Sequence, residues 1–244
     1  DLLDIPPSYY EKAAKRHRSL GDWFCRPESK LAAYAPAVYA QGSFRLGLVV
    51  RPILRGEEYD LDTVCELQRL EKTALTQRDL KMLVGHEVHG YAEAHNIKDP
   101  VVPRKRCWRL EYADDVSFHI DILPCVPEDE STISNLVRLG VAPGLARLAT
   151  ALTCTEHPQY AVRSSNWPTT NPGGYGTWFE NRMTVEAQAR RKQLVAEGYY
   201  ASVEDVPTYA LKTPLQRSIQ LLKRHRDVMF KDERELKPIS MIIT

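Results

Sequence analysis

The sequence predicts an α+β protein, with strands near Asp60 and from Trp108 to Leu123 and helices before, between and after them. Three observations carry that reading. From Val116 to Leu123 apolar and polar residues alternate, with Val116, Phe118, Ile120 and Ile122 on one face and Ser117, His119 and Asp121 on the other. That is the pattern of a strand buried on one side. Helix starts lie outside this region at Ser8 with Glu11, Thr76 with Asp79 and Thr213 with Gln216, each a hydroxyl followed three residues later by an acid or amide. No internal repeat or low-complexity stretch runs through the 244 residues, which excludes solenoids and arrays.

Taken in order, the first helix should run from the Ser8 box through Phe24, and a shorter one from Glu28 to Tyr34, where Pro36 stops it. Both would pack along the back of a sheet. Asp60 to Leu67 reads as a strand, with Leu61, Thr63, Cys65 and Leu67 on one face and Asp60, Asp62, Val64 and Glu66 on the other. Thr76 to His95 is helical, with Leu80, Leu83, Val84, Val88 and Tyr91 as its apolar stripe. Trp108, Leu110 and Tyr112 alternate with Arg109 and Glu111, and the polar turn Ala113-Asp114-Asp115 joins that run to the next strand as a hairpin. Ser164 to Gly176 is rich in Ser, Thr, Asn, Pro and Gly and reads as a long loop, with Tyr175 or Trp178 either stacking on a base or packing a domain junction. Arg182 to Glu197 is helical. A last helix opens at Thr213 with Pro214 in its first turn and carries Leu215, Ile219, Leu222 and Met229 as its apolar side, with Lys223 beside them. The boundary between two parts falls softly at 130 to 160, giving residues 1–150 and 151–244.

Composition sets limits. A 43% hydrophobic and 27% charged chain is ordinary for a globular protein, and a net charge of +1 does not mark a general nucleic-acid binder. Arg104-Lys105-Arg106 and Arg190-Arg191-Lys192 read as solvated faces, whereas Lys223-Arg224-His225-Arg226 sits on a helix that can face a cleft. The five cysteines, Cys25, Cys65, Cys107, Cys125 and Cys154, are odd in number and form no Cys-x-x-Cys pair, so the expectation is a reduced, cytoplasmic protein. Apolar runs fall short of the ~20 residues of a membrane span. In His86-Glu87-Val88-His89 the histidines are three apart rather than four, so this is a surface helix and not a zinc motif.

The chemistry resides in Asp60, Asp62 and Asp121. Residues two apart in a strand share a face about 7 Å apart, so Asp60 and Asp62 present two carboxylates side by side. An Asp-x-Asp pair alone is commonly a solvated strand edge. Here Asp60 and Asp121 are embedded in apolar, β-forming sequence, where an unpaired carboxylate is costly and signals a metal or an ion partner. A third carboxylate from a neighbouring strand completes a cage of hard oxygens suited to two Mg²⁺ ions, with Mn²⁺ as a substitute, and to phosphoryl transfer. Upstream, Tyr39-Ala40-Gln41-Gly42-Ser43-Phe44-Arg45-Leu46-Gly47 places small residues where backbone must approach a ligand; Gly42 and the Ser43 hydroxyl would hold the β and γ phosphates. It is not a P-loop, since no Gly-Lys-Ser/Thr follows.

These residues resemble a known family. Gln41-Gly42-Ser43-Phe44-Arg45-Leu46-Gly47, Arg51-Pro52, Glu58-Tyr59-Asp60-Leu61-Asp62 and Asp121 look like the bacterial cGAS/DncV-like nucleotidyltransferases, or CD-NTases. Asn171-Pro172-Gly173-Gly174-Tyr175 with Trp178-Phe179, and Leu222 to Asp227 with Pro238-Ile239-Ser240, extend the likeness over nearly the whole chain. Leu48 departs from it, where a threonine is expected after Gly47. The resemblance implies a polymerase-β-like nucleotidyltransferase core, a mixed twisted sheet with flanking helices, joined to a helical C-terminal lobe. It implies a template-independent enzyme that uses Mg²⁺ to condense ATP, GTP, CTP or UTP into a cyclic di- or trinucleotide, an anti-phage signal read by a separate effector protein. It also admits a regulatory partner protein. By the same carry-over Asp60, Asp62 and Asp121 are the metal-binding carboxylates, Gly42 and Ser43 the triphosphate loop, and Lys223 and Ser240 reach the triphosphate from the helical lobe. No zinc thumb is visible, so duplex nucleic acid is not an expected partner.

Two other readings stand beside this one. A transferase on the same core would nucleotidylate an RNA end or a protein, and a catalytically silent module would bind nucleotide as a regulator. The chain opens at Asp1 and stops at Ile242-Ile243-Thr244 inside an apolar run, which reads as a fragment whose helical lobe is incomplete. A shortened chain would bind nucleotides yet turn over poorly.

Overall fold

The computed structural model describes residues 3–53, 59–112, 118–203, 206 and 212–238. Its centre is strand β5 (Phe118–Pro127), flanked by β2 (Tyr59–Leu67) on one side and β4 (Trp108–Tyr112) on the other. β2 and β5 run parallel, which requires a crossover between them. The long helix α3 (Gln77–Ala94) lies in that connection. β1 (Pro36–Ala40) closes one edge antiparallel to β2, and β3 (Val102–Pro103) closes the other antiparallel to β4. The far end of β5 pairs with β6 (Thr150–Leu152), which in turn pairs with β7 (Thr169–Thr170). The sheet is therefore mixed, as the family resemblance implies.

One face of this sheet is covered by helices. From α3 come Leu80, Val84, Val88 and Tyr91, and from α1 (Pro7–Cys25) Leu20 and Phe24; they pack on Leu61, Cys65, Leu67, Leu110, Ile120 and Ile122. The opposite face carries the carboxylates. Helix α3 starts where its capping box requires: the Thr76 hydroxyl accepts from the Asp79 amide at 3.0 Å, and the Asp79 carboxylate accepts from the Thr76 amide at 3.1 Å. His86, His89 and His95 lie exposed on it. Four of the five cysteines are buried, all five are free, and Cys25 is exposed.

Several elements differ from the sequence reading. Helix α1 does not use the Ser8–Glu11 box: Pro6 is its N-cap, without a side-chain bond, and Pro7 opens it. Consecutive prolines hold Pro6 extended and pre-set the φ of Pro7, which starts the helix two residues earlier than a Ser8 cap would. The helix expected over Glu28 to Tyr34 is reduced to a 3-10 turn at Ala32–Tyr34, because Ala35 turns left-handed at φ 48° and Pro36 begins β1. An edge strand tolerates a proline that cannot donate to the ladder. The hairpin pairing of β4 with β5 is present, with Tyr112 opposite Phe118; its turn at Ala113-Asp114-Asp115 falls outside the described residues.

The expected loop from Ser164 to Gly176 ends early, since helix α6 spans Pro172–Ala196. Asn171 caps it, its side-chain oxygen accepting from the Gly174 amide at 2.8 Å. The glycines that made this stretch look irregular are there for contact. A Cβ on Gly174 would stand 2.6 Å from the Leu145 carbonyl, and one on Gly176 would stand 2.4 Å from the Arg45 guanidinium carbon. Helices α4 (Glu130–Arg138) and α5 (Pro143–Ala146) fill the connection from β5 to β6, and α7 (Pro214–Met229) follows α6.

Candidate active site

Strand register gathers the polar face. On the parallel pair β2·β5, Asp60 lies opposite His119 and Asp62 opposite Asp121; on β4·β5, Arg109 lies opposite Asp121. Asp121 is 9% exposed and is gripped by Arg109 in a two-pronged pair, Nε to Oδ1 and NH2 to Oδ2, both at 2.7 Å. That pairing drives the Arg109 pKa up, the hydrogen bond to Asp121 outweighing the cost of burial. Asp60 is the exposed member, with His119 Nε2 at 3.0 Å from its Oδ1. One ligand atom each of Asp60, His119 and Asp121 falls within 4.8 Å of the others.

Asp62 is half-buried on the same face, beside the glycine turn rather than within that tightest trio. Burial pushes its pKa up to about 7, and the charges of Asp60 and Asp121 push the same way against His119 and Arg109. The donor set, hard oxygens and an imidazole facing one space, fits a divalent metal ion on chemical grounds.

Gly42 and Ser43 open a single helical turn, α2 (Gly42–Arg45), directly beyond β1. The Gln41 amide donates to the Asp62 carbonyl at 2.9 Å, hanging the turn on the end of β2. Gly42 has φ +61°, and a Cβ there would stand 2.5 Å from Asp62 Oδ2. Only glycine satisfies both conditions. The turn ends at Gly47 with φ +67°.

From α7, Lys223 reaches this turn: its Nζ donates to Ser43 Oγ at 2.6 Å and to the Leu48 carbonyl at 3.0 Å. Burial and the neighbouring Arg226 lower its pKa to about 8, partly offset by Asp227, Asp60 and Asp62. Ser240 lies outside the described residues. The apolar side expected for α7 is overturned. Ile219 is 7% exposed, but Leu215, Leu222 and Met229 are 42%, 46% and 65% exposed, while Gln216 and Gln220 are buried. The neighbour of α7 is the backbone of residues 46–51, which offers carbonyls, so the helix turns its amides inward. Tyr175 packs with Leu46, Leu48, Phe179, Met183 and Ile219; Trp178 is exposed with Arg182 over its ring.

Sequence reasoning singled out the three aspartates but assigned nothing to Arg109 and His119. The signal was present, since both sit on the polar face of an alternating strand, and only the register shows which carboxylate each one meets. Among the described residues no helix is long and apolar enough to cross a membrane.

Comparison with known proteins agrees with this geometry. Residues 36–124, which hold β1, the glycine turn, all three aspartates and Arg109, match the family described as cyclic GMP-AMP synthase DncV-like, nucleotidyltransferase domain. Over 100% of its length the chain is 25% identical to a c-di-GMP synthase of Roseivirga ehrenbergii, and over 99% it is 25% identical to the cyclic dinucleotide synthase CdnG of Bradyrhizobium diazoefficiens. It covers 56% and 54% of those proteins, so the chain spans about half the length of the curated relatives it matches. The solved CD-NTase CdnG of Bradyrhizobium diazoefficiens, in complex with GTP, superposes with a TM-score of 0.64 at 24% identity, covering 97% of this chain and 64% of that one. The fold is thus that of the CD-NTases, and residues 36–124 are where the chain is similar to the DncV-like nucleotidyltransferase domain.

Proposed function

We propose that this chain is the nucleotidyltransferase part of a synthase that condenses nucleoside triphosphates, GTP among them, into a cyclic dinucleotide second messenger. The observation that carries the proposal is the meeting of Gly42-Ser43 with Asp60, Asp62 and Asp121 at the ends of adjacent strands, with Lys223 laid on Ser43. The names of the relatives, a c-di-GMP synthase and a cyclic dinucleotide synthase, support the choice of product class. In this reading the messenger serves anti-phage signalling through a separate effector protein.

Asp60, Asp62 and Asp121 would hold divalent cations, Mg²⁺ in this proposal, with His119 beside Asp60 and Arg109 fixing the orientation of Asp121. Such ions would supply charge neutralisation at the triphosphate and lower the pKa of the attacking hydroxyl. The chain's own residues bind and orient. Gly42 and Ser43 take the β and γ phosphates, and Lys223 adds a positive charge beside them. Held in line, the ribose hydroxyl of an acceptor nucleotide forms a bond to the α-phosphorus as the bond to the pyrophosphate oxygen breaks, with the hydroxyl proton passing to solvent.

The test is to incubate the chain with labelled ATP, GTP, CTP and UTP and Mg²⁺, treat the mixture with phosphatase, and separate the products. A phosphatase-resistant product from the native chain, abolished in Asp62→Asn at unchanged thermal stability, is the expected result. Label transferred to RNA or protein, or full activity in Asp62→Asn, would contradict the proposal.

A further inference from the structure

Besides the packing of Ile219 on Leu46 and Leu48, helix α7 and the residues just before it meet the segment that follows the glycine turn through side-chain donors aimed at backbone carbonyls. Gln216 Nε2 donates to the Leu46 carbonyl at 2.8 Å, Lys212 Nζ to that of Gly47 at 2.8 Å, and Lys223 Nζ to that of Leu48 at 3.0 Å. Gln220 Nε2 donates to the Val49 carbonyl at 2.9 Å, and Arg224 to that of Arg51 at 2.6 Å. Residues 216, 220 and 223 follow the four- and three-residue spacing of one helix face. A short segment is thus read carbonyl by carbonyl, and the lysine is one rung of the ladder.

From this we infer that Gln216 and Gln220 are positioning residues for the triphosphate turn: their amides set the height of α7 against residues 46–49 and so place Lys223 on Ser43. The inference rests on the reading of Gly42-Ser43 as that turn. Two details single out these glutamines. First, each uses both ends of its amide. Gln216 Oε1 accepts from the Thr213 amide at 2.9 Å and completes the capping box of α7 while its nitrogen holds Leu46. Gln220 Oε1 accepts from Arg217 at 3.1 Å while its nitrogen bridges Val49 and Asp4 Oδ1, the latter at 3.0 Å. A glutamate would serve a capping box equally well but has no donor for a carbonyl.

Second, the backbone makes room for Gln216. Gly47 has φ +67°, and a Cβ there would stand 2.6 Å from Gln216 Nε2 and 3.3 Å from Lys212 Nζ. The two left-handed glycines bracketing α2 therefore face the two sides of the site, Gly42 toward Asp62 and Gly47 toward Gln216. Both glutamines are at most 6% exposed, so water does not compete for these bonds.

Gln216→Glu is the sharpest variant, since it keeps the capping box and turns an acceptor toward the Leu46 carbonyl. Gln220→Met removes the second amide at similar length, which guards against a folding defect peculiar to one site. GTP and GMP affinities would be measured by titration calorimetry in Mg²⁺ for the native chain, each variant, Lys223→Met and the double variant Gln216→Glu/Lys223→Met. The expected result is a GTP affinity lowered about tenfold in each glutamine variant with GMP affinity unchanged, and no further loss when Gln216→Glu is added to Lys223→Met. Equal weakening of GTP and GMP, or a loss that adds in full to that of Lys223→Met, would show a merely structural role and overturn the inference. A native chain that binds GTP no better than GMP would instead bring down the triphosphate reading itself, and this inference with it. A native chain that prefers GTP, with glutamine variants that match it, would sink the inference alone.

Discussion

At Gly42 a left-handed backbone and the Asp62 carboxylate occupy the same corner, which makes that position the joint between the glycine turn and the acid cluster. An alanine there carries the ~1–2 kcal/mol cost of a left-handed conformation and drives its methyl into Asp62. Gly42→Ala should lower the urea unfolding free energy by about that amount and also weaken GTP binding; an unchanged midpoint would mean the turn is not strained. The aspartates were legible in the sequence because alternation assigns a face. Asp60 and Asp62 lie two apart, and Asp121 sits opposite Ile120 and Ile122 across its strand. What alternation does not specify is register. The Arg109–Asp121 and His119–Asp60 pairs exist because β4 and β2 are aligned on β5 as they are, and a slip of one residue would turn each polar row to the other face of the sheet.

Among the elements, α3 was readable to its cap because its box and stripe point the same way. Helices α6 and α7 were misread for opposite reasons. The start of α6 has the composition of a loop, yet its glycines answer to close contacts with Leu145 and Arg45, which composition alone does not reveal. In α7 leucines at helical spacing suggested a core face, while the helix docks on carbonyls and buries amides. This assigns different weights to two residues on that helix. Ile219→Ala, at a site packed with Leu46, Leu48, Phe179 and Met183, should cost about 2–5 kcal/mol. Leu222→Ala, at an exposed site, should stay within about 0.5 kcal/mol of the native chain. Equal losses in chemical denaturation would contradict the observed orientation of α7.

At the scale of the molecule, one sheet separates two tasks. Its α1/α3 face holds the apolar core, and its other face carries the acids to the end of β2, where the glycine turn crosses. The α+β class was legible because strand and helix periodicities were distinct element by element, whereas the extension through β6 and β7 was not, since strands of three and two residues leave no pattern to read. The arrangement concentrates negative charge where a polyanionic nucleotide would bind. In the proposed reading the site would repel a nucleotide without a cation and attract it with one. Calorimetric titration of GTP into the native chain and into Asp62→Asn, each with Mg²⁺ and with a chelator, reads that balance directly. The account predicts tight binding only for the native chain with Mg²⁺, and in the chelator binding by Asp62→Asn equal to or stronger than native, because one repelling charge is gone. Native binding that is indifferent to Mg²⁺, or retained in full by Asp62→Asn with the metal present, would contradict it.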